Sequence, residues 1–465
     1  MAEQRRKRKM RTVIACVIVG CLLFLLLLVK VIIPQSRYDK AGALFAEGKY
    51  MEAAELYERL GDYRGSSEKH KLSSYRHACQ LMEAGEYEKA RVGFQELVLY
   101  SDSSLKIKEC TYQLGLQFFE EGKYETALTA FTELEDYRDS VEWVRQTKDA
   151  MAAISYQSAE EALAKGDIFL AATLFGNAGD YKDAWERCLA IWDPYTVHNT
   201  LCAEGFSVYG LRENGTVVTK YDKYGCLGSS EAEAVEQWTG IVAIANTANE
   251  FAALREDGTV LLEGNDDMKE ITDQWTGIVA IGSSGYDELY GLRYDGTVFS
   301  TDSEEVLQEN VTRLISGGRG IGMELRDGSR VFYYANGFEV DLEAKGWTDV
   351  EVFCASLSGD VALLSDGTVL AEHDPSSDYA ANLTGARNWE DIIAISAKFK
   401  HLLGLKADGT VVAVGDGDYN RLNVSRWTDI VAVETGLFIS VGLRSDGTVV
   451  STAGGELWTD IRLPG

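Results

Sequence analysis

Residues 427–450 read WTDIVAVETGLFISVGLRSDGTVV, and copies of this stretch recur through the second half of the chain. Other copies start at Trp238, Trp275, Trp347 and Trp389, with a degraded one at Val311. Each runs into a glycine turn, at Gly258, Gly296, Gly328, Gly367, Gly409 and Gly447, and Asn214-Gly215 supplies one more ahead of them. Seven turns spaced by 32 to 43 residues mark a repeat architecture in which each unit buries its face against its neighbours.

The unit reads as β. IVAI is apolar at consecutive positions, as a strand covered on both faces should be, and GLRSDGTVV is two short strands joined at Asp-Gly, a pair suited to the positive φ of a tight hairpin. A strand, a hairpin and a variable segment make one blade, and seven four-stranded blades closed on an axis leave no long edge exposed. The pattern W-x-D-I-V-A-I followed by x-G-L-x-x-D-G-T-V resembles the short bacterial form of the regulator of chromosome condensation repeat. That resemblance covers roughly residues 195–465 and implies a seven-bladed propeller. YGCLGSSE at residues 224–231 is similar to the family's G-Q-L-G ending, and His401 stands where the family places a histidine.

The chain opens differently. Arg5, Arg6, Lys7, Arg8, Lys9 and Arg11 precede an apolar run to Ile33 whose single charge, Lys30, lies near its far end. Such a run is long enough to cross the roughly 30 Å hydrocarbon layer as a helix. The basic cluster predicts a cytoplasmic tail over residues 1–11, a signal anchor over 12–33 and an extracytoplasmic bulk, so that the protein is single-pass with its N-terminus inside; a cleaved signal peptide is the alternative. Net charge is −28, and the seven basic and one acidic residues before position 34 leave −34 beyond it. A surface so acidic excludes nucleic acid as a partner, since phosphate contacts need basic groups. Six cysteines beyond the span show no metal-ligand spacing and read as small buried hydrophobes, with a Cys188–Cys202 disulfide as the alternative.

Between residues 34 and 193 the period becomes helical. Around Gly48, Gly85, Gly122 and Gly166, a tyrosine stands ten residues before (Tyr38, Tyr75, Tyr112, Tyr156) and a small residue seven before (Ala41, Ala78, Gly115, Ala159). Alanine follows at +5, an aromatic at +9 and tyrosine at +15, which describes a helix, turn, helix hairpin repeated four times. Asp139 with Glu142 and Asp183 with Glu186 have capping-box spacing. The intervals are similar to those of the tetratricopeptide repeat family, with a longer period of 37 to 44 residues. The resemblance implies that Tyr38, Tyr75, Tyr112 and Tyr156 line a peptide-receiving groove; alternatively they pack one repeat on the next.

The expected fold is therefore multidomain: a single transmembrane helix, all-α tetratricopeptide-like repeats over 34–193, and an all-β seven-bladed propeller over 194–465. Motifs for catalysis are missing: there is no HExxH, GxSxG or GxxxxGK[ST], and no cofactor or metal site is expected. His198 and Cys202 read as packing residues. What varies between copies carries Tyr221, Tyr224, Tyr333, Tyr334, Tyr379 and Tyr419 among carboxylates, a combination suited to a protein or peptide partner, cationic in character. The chain thus reads as a non-enzymatic interaction protein of the bacterial cell surface, binding protein, peptide or envelope polymer. The competing class is a propeller-type hydrolase or lyase acting on envelope polysaccharide, which a pocket on the propeller axis with convergent carboxylates of shifted pKa would favour.

Overall fold

The computed structural model describes residues 2–220, 227–285, 288–316, 318–335, 337–356, 358–372 and 381–464. It divides into two compact units, Met1–Ile154 and Ser155–Gly465. Periodicity changes from helix to strand after residue 193, but the last helices pack into the second unit.

In the first unit, helix α1 (Ala2–Leu27) passes through one π turn (Leu28–Ile32) into α2 (Ile33–Ala46). Pro34 accounts for the wide turn: it has no N–H to give, its ring crowds the carbonyl four residues back, and the Ile33 N–H reaches the Leu28 carbonyl five residues back. The helical stretch Met10–Ala46 contains a window apolar and long enough to cross a membrane.

Helix α2 pairs with α3 (Tyr50–Glu58), α4 (Ser66–Glu83) with α5 (Tyr87–Gln95), and α6 (Ser103–Glu120) with α7 (Tyr124–Thr132). α8 (Ser140–Ala164) and α9 (Ile168–Ala178) repeat the pattern, and α10 (Ala184–Trp192) packs on α9. The turn glycines Gly48, Gly85, Gly122 and Gly166 all have φ between 72° and 82°, which a Cβ disfavours. Small residues let each pair close: Ala41, Ala53, Ala90, Ala127, Ala159 and Ala171 are wholly buried, and a Cβ on Gly115 would come within 2.7 Å of the Phe131 ring. The capping box expected at Asp183 is not formed. Asp183 makes no side-chain bond to its helix, because its carboxylate accepts the Tyr156 hydroxyl at 2.6 Å; the Asp139 carboxylate accepts that of Tyr112 at 2.5 Å.

Seven antiparallel sheets follow, over residues 201–220, 241–263, 278–308, 311–334, 350–371, 392–415 and 430–456. The first strand of each touches the first strand of the next, and that of the seventh touches the first, so the ring is a closed seven-bladed propeller. Among the described residues, blades three and seven have four strands, and the other five have three rather than the expected four. Helical segments stand in that place, such as Ser229–Val235, Asp266–Thr272 and Leu342–Lys345. Side-chain caps from Asn265 and Asp341 start the latter two, and Val235 and Met268 point apolar groups into the blade cores.

The C-terminus closes the ring. In blade seven Gly442 is covered by Trp427 and Ile430, and in blade one Gly210 is covered in the same way by Trp458 and Ile461. Ile461 bridges Arg212, the Arg462 N–H donates to the Leu211 carbonyl at 2.8 Å, and Arg212 pairs with Asp460 at 2.8 Å. The tail W-T-D-I thus replaces the segment that blade one lacks at residues 195–198. Ile461 is buried and Trp458 half-buried, whereas Leu463 stays 41% exposed.

The second unit also contains α9 and α10. The indole N–H groups of Trp185 and Trp192 donate to the carbonyls of Glu256 and Tyr294 at 2.9 and 3.0 Å, and the Tyr294 hydroxyl donates to Asn177 at 2.9 Å. One core runs from Ala159 and Phe175 to Leu292 and Ile321.

Truncation before Gly455 should unfold the propeller, and Ile461→Ala alone should cost about 2–5 kcal/mol as a large-to-small core change. Thermal melting followed by near-UV circular dichroism checks both; an unchanged melting temperature after truncation would refute closure by the tail.

Candidate functional site

The repeated residues are consumed by packing, so the axis is where the copies differ. Ile430 and Val433, like Ile278 and Ile281, face the blade cores. At one end a cavity of about 520 Å³ opens between the inner strands. Its wall is apolar at Val197, Leu314, Val352 and Ile393 and charged at Arg313 and Glu351. Ile393 is 58% exposed and Val197 44%, both large aliphatic groups left in water at the mouth. Arg330 joins Glu324 and Glu351, each at 3.1 Å, which braces one side of that wall. Helix α10 docks at the same end, where Trp185 lies against the turn at Gly258.

Asn199 and Ser316 also line a second cavity of about 40 Å³, the polar floor of the funnel. Asn246, Ser396, Lys398 and Glu434 surround it. The buried Lys398 ammonium donates to the Ala203 carbonyl at 3.2 Å and faces Asn246 Oδ1 at 3.5 Å. Ser396 lies 3.4 Å from the Glu434 carboxylate and 3.1 Å from the Thr435 hydroxyl. Burial pushes Glu204 up to about 7, against the opposing pull of the Lys398 charge and the Gly205 N–H, and one of its carboxylate oxygens is buried without a hydrogen-bond donor. Glu434 is raised for the same reason and is likewise opposed by Lys398. Glu434 and Lys398 therefore line a space that holds only groups of about the size of water, and Glu204 lies near enough to the same lysine to feel its charge.

None of these residues carries a motif. Their signal in the sequence is positional: Glu204, Asn246, Ser283, Ser316, Lys398 and Glu434 all follow the apolar run of an inner strand, where the copies stop resembling one another.

The tyrosines singled out by sequence are elsewhere. The rings of Tyr38, Tyr75, Tyr112 and Tyr156 lie against the aromatics of their own hairpins, with centroids 5.3 to 6.0 Å apart from Tyr57, Phe94, Phe131 and Phe175. The hydroxyls of Tyr75, Tyr112 and Tyr156 donate to Asp102, Asp139 and Asp183, so packing between hairpins accounts for the row. Tyr333 donates to Gln308 at 3.3 Å; Tyr334 donates to Asp360 at 2.7 Å, and burial with that bond pushes its phenol up to about 12. Tyr419 is 56% exposed, beside Phe206 and Phe438 at the opposite end from the funnel mouth. Tyr221, Tyr224 and Tyr379 lie outside the described residues.

His401 is buried against the Ser440 hydroxyl at 3.0 Å, and burial beside Arg421 pulls it down to about 3, so it stays neutral as a packing group. Cys188 lies in the core under the helices and Cys202 in the core between blades one and two, which rules out the disulfide considered for them.

Glu204 gives a pH signature. Its folded-state value lies above the ordinary carboxyl value of 4.5, so folded and unfolded chains are equally protonated at lower pH, and stability falls as pH rises from 4.5 through about 7. Glu204→Gln should stabilise the propeller near pH 8 by about 3 kcal/mol, at ~1.4 kcal/mol per pKa unit, and change little near pH 4. Equal gains in melting temperature at both pH values would show that the carboxyl does not titrate in this range.

No protein-family model and no curated protein matches the chain. Among solved structures it is similar to the CRINKLY WD40 ectodomain of the Arabidopsis thaliana receptor kinase ACR4 (14% identity, 58% of this chain and 98% of that one, TM-score 0.38). It is also similar to Prp20p from Saccharomyces cerevisiae (14%, 57% and 75%, TM-score 0.28) and to BamB from Moraxella catarrhalis (8%, 55% and 82%, TM-score 0.29).

Proposed function

We propose that this chain is a membrane-anchored, non-enzymatic interaction protein whose propeller funnel receives an apolar side chain of a protein or peptide partner. In this reading residues 12–33 span the cytoplasmic membrane, residues 1–11 stay inside, and the tetratricopeptide-like hairpins over 34–193 and the condensation-regulator-type blades over 194–465 lie outside. The observation that carries it is the funnel mouth, where the large aliphatic side chains of Ile393 and Val197 are exposed. With 19 basic and 43 acidic residues, residues 196–465 carry −24, which favours a cationic partner.

The full chain used as bait in native membranes should retain a partner that Ile393→Asp with Val197→Asp releases, since both side chains are exposed and the fold has no need of them. Association should slow as salt rises. Retention unaffected by the double substitution would remove the funnel from the reading.

The topology is tested separately. Protease added to intact, wall-stripped cells should remove the propeller, and protection until lysis would invert the orientation.

The raised carboxyls of Glu204 and Glu434 beside Lys398 favour a second reading, hydrolysis or elimination at the axis. The floor's 40 Å³ is too small for a sugar ring, which weighs for binding instead. Turnover of an envelope polysaccharide abolished by Glu434→Gln would reverse that judgement.

A further inference from the structure

A second groove, of about 490 Å³, lies in the first unit between α5 and α7, with α6 as its floor. On α6 the groove residues Thr111, Leu114 and Phe118 recur at i, i+3 and i+7, a face turned away from that of Tyr112. Helix α7 contributes Ala130, buried to the same degree as Leu114. The rims are acidic. Glu88 stands on α5, and Glu125 and Glu133 stand two turns apart on the exposed side of α7. The one cation in the lining, Arg91, is engaged by Glu88 at 2.9 Å, and its buried Nε has no acceptor. Val92, beside Arg91, is 47% exposed and extends the apolar surface.

The groove exists because of one position in the repeat. Eight residues after the turn glycine, the first and fourth hairpins carry Leu56 and Leu174, whereas the second and third carry Gly93 and Ala130. A leucine in the place of Ala130 is therefore compatible with the hairpin, and its absence leaves room beside Leu114 and Phe118, whereas Gly93 faces α4, where a Cβ would come within 3.1 Å of Ala78.

We propose that this groove is a docking site for a basic amphipathic segment, whose apolar side chain enters between Leu114, Phe118 and Ala130 while lysine or arginine groups meet Glu125 and Glu133. Complementarity of charge selects that partner: three glutamates surround an apolar floor, and the only cation is already paired. The site is independent of the propeller funnel.

The test uses the full chain in phosphatidylcholine discs, empty discs being subtracted. The probes are a fluorescent 16-residue helix with leucine on one face and lysine on the other, and its counterpart with glutamate for lysine. The lysine peptide should bind and the glutamate peptide should not. Ala130→Leu should weaken binding at least tenfold by filling the groove, and Glu125→Gln with Glu133→Gln, both on exposed side chains that keep the fold, should do so by removing the rim charge. Equal binding of both peptides, unchanged affinity in the Glu125→Gln, Glu133→Gln variant, or no binding of the lysine peptide would each overturn the proposal. The funnel variant Ile393→Asp should bind the lysine peptide like the unaltered chain.

Discussion

One hydrogen bond, repeated at the joints between blades, holds the propeller as a ring. The first-strand amide of a blade donates to the turn-glycine carbonyl of the blade before it: Ile241 to Gly215, Ile278 to Gly258, Val311 to Gly296, Ile430 to Gly409 and Ile461 to Gly447, all within 2.9 to 3.1 Å. The last of these joins blade seven to blade one through the tail. A glycine suits the turn because φ is positive there and because a Cβ on Gly215, Gly409 or Gly447 would press on the incoming backbone at 3.0 to 3.2 Å. Asp257, Asp408 and their equivalents then fix the turn by accepting the N–H of the threonine two residues on.

The helical hairpins use a different clamp. A tyrosine on the first helix packs edge to face on the aromatic of the second and, in the last three hairpins, gives its hydroxyl to the aspartate that begins the next helix. Basic groups complete it, with Arg138 lying over Tyr112 and Lys182 over Tyr156. The residue after each +15 tyrosine, Arg64, Ser101, Arg138 or Lys182, has φ of 48° to 55°, a conformation that these side chains rarely adopt. It recurs because the chain must reverse tightly enough to set that aspartate under the tyrosine.

At the axis the same architecture gathers what it does not need for packing. Inner-strand residues that leave the blade cores meet across a ring of seven, so single polar differences between copies become neighbours. Lys398 from blade six reaches Ala203 of blade one and Asn246 of blade two across the centre. A lysine there is tolerated because carbonyl, amide and carboxyl groups surround it in a space otherwise withdrawn from water.

The repeat pattern by itself determined the seven blades, the helix hairpins and the apolar span, because each depends on local spacing that recurs and can be counted. The three-stranded blades were not legible: whether a variable segment adds a strand or a short helix depends on caps such as Asn265 and on the core it must cover. Nor was the packing role of Tyr38, Tyr75, Tyr112 and Tyr156 separable from a binding role, since spacing fixes a face of a helix but not what lies against it. The two grooves belong wholly to the tertiary structure. Glu204, Lys398 and Glu434 come from strands 36 to 230 residues apart, and only the closed ring brings them together. The smallness of Ala130 becomes a cavity only when α5 and α7 are set side by side, for sequence records the volume of a side chain and packing decides whether the space it leaves is filled.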